Sequence, residues 1–145
     1  MDSIRLSTAS DTAALAAIWR ASVRATHDFL SEPHFRELDF LVSERYLPAA
    51  GVWVAFDADG SPCGFMGLSG AHVDALFIDP ARRGQGVGRR LLAHAAALAG
   101  VLSVDVNEQN RQAVDFYRHM GFNVTGRSPR DDAGRPYPLL HMRQA

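Results

Sequence analysis

The apolar residues change their spacing several times along the chain, and each change marks an element. Ile4 to Thr8 alternates over a short run, as a strand does. Beyond it, Leu15, Ile18, Trp19, Ser22 and Val23 recur at the spacing of one helical face, with Thr8 or Ser10 placed to cap that helix. Ser22 is the one polar residue on the stripe. The pattern fades at Thr26-His27-Asp28. Ser31-Glu32-Pro33 then opens a second helix, because proline is tolerated in a first turn. Phe35, Leu38, Leu41, Val42 and Tyr46 form its apolar face, and Pro48 and Gly51 end it.

Strand patterns follow. Val52 to Phe56, Cys63 to Leu68 and His72 to Ile78 read as three strands. The turn Asp57-Ala58-Asp59-Gly60 joins the first two, and Asp79-Pro80 closes the third. Helical spacing returns at Val87, Leu91, Leu92, Ala95 and Leu98, with Gly100 as the C-terminal stop. Val101 to Val106 is a strand, and Ala113, Phe116, Tyr117 and Met120 share one face of a helix that Gly121 ends. Strands at Phe122 to Thr125 and Tyr137 to Met142 come last. The order β-α-α-β-β-β-α-β-α-β-β describes an α/β fold with a mixed sheet. No repeat, low-complexity tract or linker interrupts it, so residues 1–145 are expected to form one domain.

Composition narrows the function classes. A chain that is 47% hydrophobic and 21% charged is ordinary for a soluble globular protein, which excludes a disordered chain, a collagen-like repeat and a disulfide scaffold. The net charge of -1 shows no basic excess, so no nucleic-acid partner is expected. No apolar run is long enough for a membrane span, and the start lacks the pattern of a secretory signal. With Cys63 as the single cysteine, a reducing, cytoplasmic setting is expected, and Cys63 reads as a small core residue. All 15 basic residues are arginine, so the chain offers no lysine amine of its own.

The most informative chemistry lies where a strand meets a helix, at Arg83-Gly84-Gln85-Gly86-Val87-Gly88. Free N–H groups at a helix start, with the helix dipole behind them, form an anion site. Glycines let the backbone approach a phosphate closely, and Arg82, Arg83, Arg89 and Arg90 flank the turn. No Gly-Lys-Ser/Thr follows, so this is not a nucleotide P-loop. The glycine spacing is not that of the dinucleotide fingerprint either.

The turn resembles the acyl-CoA loop of the GNAT N-acetyltransferases, which reads Gln/Arg-x-x-Gly-x-Gly/Ala. The series Asn107, Asn110, Ala113, Phe116-Tyr117 and Gly121-Phe122 resembles the second half of that family's cofactor site, and the two motifs stand in the family order. Further segments, among them Ala25 to Ser31, Asp74 to Pro80 and Pro136 to Leu140, resemble a bacterial subgroup described as peptidyl-lysine N-acetyltransferases. The resemblance implies a mixed, mostly antiparallel sheet of about seven strands flanked by about four helices. It implies acetyl-CoA as cosubstrate and an amine acceptor, a protein or peptide lysine or a small molecule. The chain would act as a monomer or homodimer. A sensor that binds acyl-CoA without turning it over is the alternative outside enzymes.

The resemblance also distributes roles. Arg83, Gly84, Gln85, Gly86, Val87 and Gly88 would hold the pyrophosphate. The backbone of Leu76, Phe77 and Ile78 would pair with the pantetheine arm, and Asn107 and Asn110 would complete the cofactor site. Asn110 is equally placed to cap the helix that follows. Tyr117 would give a proton to the leaving thiolate, against its reading as a core aromatic. His27, Asp28 and Phe29 would help to build the acceptor pocket, and with His34 they fit no metal-ligand spacing. A lysine-type amine arrives charged and must lose a proton. His72 is the first candidate base, placed by period two on one strand face with Asp74, Leu76 and Ile78. Glu108 is the runner-up, and solvent is the third option. With Cys63 in a strand, direct attack in a ternary complex is expected rather than an acetyl-cysteine route.

Overall fold

The computed structural model describes residues 3–49 and 51–145. β1 (Ser3–Leu6) leads through a short 3-10 turn into α1 (Thr12–Thr26). The Thr8 N–H donates to the Asp11 carboxylate at 2.8 Å and fixes that entry. α2 (Glu32–Phe40) starts at Ser31, whose hydroxyl accepts from the His34 N–H. It runs on through a π-helical stretch, Leu41–Tyr46, and a last α turn, Leu47–Ala49. β2 (Trp53–Phe56), β3 (Pro62–Ser69) and β4 (His72–Ile78) form a meander. α3 (Val87–Ala99), β5 (Ser103–Asn107), α4 (Arg111–His119), β6 (Phe122–Ser128) and β7 (Leu139–Gln144) follow. The last strand starts two residues later than the pattern predicts, since Pro136 and Pro138 flank Tyr137 and lack N–H groups for a ladder.

Seven strands make one sheet in the order β1-β2-β3-β4-β5-β7-β6. Every neighbouring pair is antiparallel except β4 with β5. Each face of the sheet buries its own core. α3 and α4 cover one face, with Leu91, Leu92, Val104, Val114 and Phe122 at its centre. α1 and α2 cover the other, where Trp19 stacks on Phe35 at 5.5 Å over Val54 and Phe65. Fully burying a side chain of this size contributes about 1.5–3 kcal/mol.

Two irregularities position the site. The parallel β4–β5 ladder holds only at His72 with Ser103 and Val73 with Val104, after which the strands part. β4 also carries a bulge. Gly67 pairs with Ala75 but Leu68 pairs with Val73, so Asp74 is an extra residue. The bulge overturns the period-two expectation for this strand. Val73, Leu76 and Ile78 pack on the α3/α4 side, whereas Ala75 and Phe77 pack on the α1/α2 side. His72 therefore does not share the face of Leu76 and Ile78. The π stretch answers the same feature. The Tyr46 hydroxyl lies against Gly67, where there is no room for even a Cβ. An extra residue in the helical turn carries the phenol down to that spot.

Candidate active site

A cleft of about 570 Å³ opens where β4 and β5 part, between α3 and α4 on one side and the end of α1 on the other. Beyond Val73 the β4 edge that faces β5 has no strand partner, so the backbone from Asp74 to Ile78 is open to an extended ligand. Leu76, Phe77 and Ile78 line the cleft.

The glycine turn closes one end. Gly84 and Gly86 take φ of 76° and 78°, the left-handed region that glycine enters without a Cβ penalty. Gly86 caps α3, which leaves the first N–H groups of the helix without intrahelical partners and aimed outward. Gly88 has a different reason to be glycine. A Cβ there would stand 3.0 Å from Phe116 Cζ, so Gly88 lets α4 close against α3. Arg83, Gly84, Gly86, Gly88 and Arg89 line the cleft, whereas Gln85 is exposed and Val87 is buried in the core. Arg83 and Arg89 make no ion pair among the described residues. Arg82 does: it holds Asp57 at 2.6 Å, so it braces the β2–β3 turn.

α4 forms the opposite wall. The Asn110 side chain accepts from the Ala113 N–H at 3.2 Å and also lines the cleft, so cap and wall are one residue. Asn107 does not line it, because Val106 takes the inward position on β5. Tyr117 sits deep, packed edge-on against Phe116 and Phe122 at 5.3 and 5.2 Å. Burial pushes its phenol well above the ordinary value. It therefore stays protonated near neutral pH, with a proton available to donate.

α1 supplies a roof that the sequence pattern marked only by Ser22. Ser22, Thr26 and His27 all line the cleft. Thr26 Oγ1 donates its one proton to the Ser22 carbonyl at 2.8 Å, so it accepts from His27 Nδ1 at 2.7 Å. That assignment leaves the lone pair on Nε2. Burial lowers the His27 pKa from 6.5 to about 4, so the ring is neutral at pH 7. Phe29 does not line the cleft but bridges His27 and Tyr137, at ring distances of 5.2 and 5.8 Å, and Asp28 is exposed. Tyr137 in turn bonds His34, and its oxygen accepts from the Ser31 N–H. An Arg135–Glu37 ion pair adds a second tie between the segment before β7 and α2. Spacing could not reveal this bridge, since its partners lie a hundred residues apart.

The two candidate bases fall elsewhere. His72 lies at the closed end of the parting, with Nδ1 2.8 Å from Ser103 Oγ, and is not among the residues lining the cleft. Glu108 is held by Arg127 through contacts of 2.6 and 3.1 Å, which keeps its carboxyl below the usual range. Glu108 is not among the residues lining the cleft either. Cys63 is buried in the core and does not line the cleft. Among the described residues no helix is long and apolar enough to cross a membrane.

Comparison with known proteins follows the same lines. Residues 48–124 match the family described as Acetyltransferase (GNAT) domain. The chain is 56% identical to the peptidyl-lysine N-acetyltransferase YjaB of Salmonella typhimurium, over 98% of this chain and 97% of that one. It is also 56% identical to the Escherichia coli protein of the same name, over 97% and 95% of the two chains. The solution structure of apo-form YjaB from Escherichia coli superposes with a TM-score of 0.95 at 54% identity, covering 100% of this chain and 98% of that one. The fold extends to the PaiA N-acetyltransferase of Thermoplasma acidophilum in complex with coenzyme A, with a TM-score of 0.79 at 20% identity over 99% and 98%. The chain belongs to the GNAT family and is an acetyl-CoA-dependent N-acetyltransferase that acts on an amine.

Proposed function

We propose that the acceptor is a lysine side chain of a protein or peptide, and that the cleft at the β4–β5 parting holds acetyl-CoA with its thioester in front of Tyr117. The observation that carries the placement is the open β4 edge. An extended pantetheine arm pairs with the backbone of Leu76, Phe77 and Ile78 and fills the missing place in the ladder. Its pyrophosphate then lies at the N-terminus of α3, between the turn at Gly84 and Gly86 and the guanidinium groups of Arg83 and Arg89. The lysine assignment rests on the near full-length identity to proteins named for that activity.

Chemistry follows from this placement. A main-chain N–H of β4 polarises the thioester carbonyl and holds the oxyanion as it forms. Tyr117 donates a hydrogen bond to the leaving sulfur. A thiol is ordinarily a stronger acid, with pKa about 8.5, than a phenol whose pKa burial has raised. The phenol therefore stabilises the thiolate mainly by donating a strong hydrogen bond, and the sulfur keeps a proton only once the product leaves. Attack is direct, because Cys63 is buried and does not line the cleft. His27 and Phe29 shape the acceptor side beneath the Tyr137 bridge, and His72 is the imidazole that serves the amine.

The test is thiol release from acetyl-CoA with lysine peptides, free amino acids and polyamines, with mass spectrometry on the products. Rapid acetylation of the lysine side chain in peptides is expected. Turnover confined to small amines overturns the lysine assignment and leaves the transfer chemistry standing.

A further inference from the structure

The face of the sheet turned away from Tyr117 carries a chain of bonded polar side chains that the cleft does not use. His141 Nδ1 lies 2.6 Å from Asp105 Oδ1, and its Nε2 lies 2.7 Å from Ser128 Oγ. His72 Nε2 stands 3.6 Å from Asp105 Oδ2, and its Nδ1 lies 2.8 Å from Ser103 Oγ. Four strands contribute, and the register brings them together: Asp105 pairs with His141 and His72 pairs with Ser103. Val104 and Val106 point into the α3/α4 core, so Ser103 and Asp105 must point to the other side.

The arrangement fixes the hydrogens of His141. The carboxylate accepts, so His141 donates from Nδ1, and its Nε2 accepts from the Ser128 hydroxyl. Both nitrogens of His141 and one oxygen of Asp105 are thereby used. His72 is held only through Nδ1. The 3.6 Å between its Nε2 and the second Asp105 oxygen is too long for a hydrogen bond, so Nε2 has no bonded partner among the described residues. The side chains of His72 and Asp105 are 36% and 33% exposed, so a ligand can reach this gap. Asp105 is also the first β5 residue beyond the last β4–β5 pair. The gap therefore stands at the opening in the sheet, on the face opposite Tyr117.

We propose that the space between His72 Nε2 and Asp105 receives the acceptor ammonium, that His72 takes its proton, and that Asp105, aligned by His141 and Ser128, is the positioning residue. The proposal rests on the acetyl-transfer reading above and names the base for it. The ammonium hydrogen-bonds Asp105, and one N–H bond breaks as its proton passes to His72. The freed lone pair forms the C–N bond, and the C–S pair leaves on sulfur. Of the remaining protons, the nitrogen sheds one to solvent as the amide forms, which balances the proton that the sulfur takes up once the product leaves. The imidazolium, paired with Asp105, returns its proton to solvent. Among the described residues, further charged or titratable groups on this face include Asp74 from the β4 bulge, bonded to Ser69, Tyr46 close to it, and Arg143 two residues along β7 from His141.

His72→Gln, Asp105→Asn and Ser128→Ala test this. Each is assayed with a lysine peptide from pH 6 to 10, alongside acetyl-CoA affinity by calorimetry. His72→Gln and Asp105→Asn are expected to lower kcat at pH 7 on the order of 10- to 100-fold with acetyl-CoA Kd within about twofold. Their rates should approach wild type toward pH 10, where solvent supplies the neutral amine. Ser128→Ala, which keeps the imidazole and the carboxylate, should lose severalfold in kcat and shift the acidic limb of the profile. Wild-type kcat and an unchanged pH profile in His72→Gln and Asp105→Asn would overturn the proposal. A loss of the same size at every pH also overturns it, since that marks a structural role. A wild type inactive on every amine overturns the acetyl-transfer reading itself, and this proposal with it.

Discussion

The two sides of the β4–β5 parting are built from opposite materials. On the α3/α4 side, helices cover the sheet, the walls are apolar, and Tyr117 is buried against Phe116 and Phe122. On the other side, the sheet from β4 through β5 and β7 to β6 carries His72, Asp105, His141 and Ser128, partly exposed, with His141 bonded to Asp105 and Ser128 and His72 bonded to Ser103 beside Asp105. A thioester and its leaving sulfur gain from a dry pocket with one fixed donor. An ammonium needs water to reach it and a carboxylate to meet it. Because β4 and β5 share only two residue pairs, one sheet keeps both environments within reach of each other. The difference teaches that the missing ladder, rather than any single side chain, is the organising feature of the site.

Breaking the dry side should have the largest effect. Gly86→Asp places a side chain at φ 78° and a negative charge at the helix start. Acetyl-CoA affinity by calorimetry should fall on the order of 100-fold or more. Gly86→Ala, which adds backbone strain without charge, should lose about tenfold and so separates the two causes. Near wild-type affinity in a folded Gly86→Asp variant would remove the pyrophosphate from this turn. Next in size, Tyr117→Phe should lower kcat on the order of 10- to 100-fold and leave acetyl-CoA Kd unchanged, because the ring still fills its place between Phe116 and Phe122. Equal losses in affinity and turnover would mark the phenol as packing alone.

These dry-side parts were the legible ones. Turn, glycines and helix lie within a few residues of each other, and Asn110 and Tyr117 share one helix, so spacing along the chain is spacing in the site. Most elements were legible for the same reason. The wet side was not. Residues 72, 105, 128 and 141 meet only through strand register, and no local period records which strands become neighbours. His72 shows the limit well. Period two placed it with Leu76, and one extra residue, Asp74, moved it to the opposite face. Glu108 shows another: it pairs with Arg127, on a strand that pairs with neither of its flanking residues in sequence.

The roof should show itself in stability rather than in turnover. His27 is neutral in the fold, with its pKa lowered to about 4 by burial, while the unfolded chain protonates near 6.5. The unfolded state thus binds more protons between these values. The contribution of His27 is complete above pH 6.5 and is lost as pH falls toward 4, at most about 3 kcal/mol. Urea unfolding of His27→Gln between pH 4 and 7 should show a shallower pH dependence than wild type. Parallel curves would mean that His27 is hydrated in the fold.

The placement of the acetyl group is the claim on which both sides depend. Nuclear Overhauser contacts from the methyl group of ¹³C-acetyl-CoA, bound without acceptor, test it most directly. The expected contacts run to the Tyr117 ring and the Leu76 methyls, with the amide signals of Leu76, Phe77 and Ile78 shifted by a new strand partner. Contacts confined to Trp19, Tyr46 and Phe65, which line a separate pocket on the other face, would contradict it.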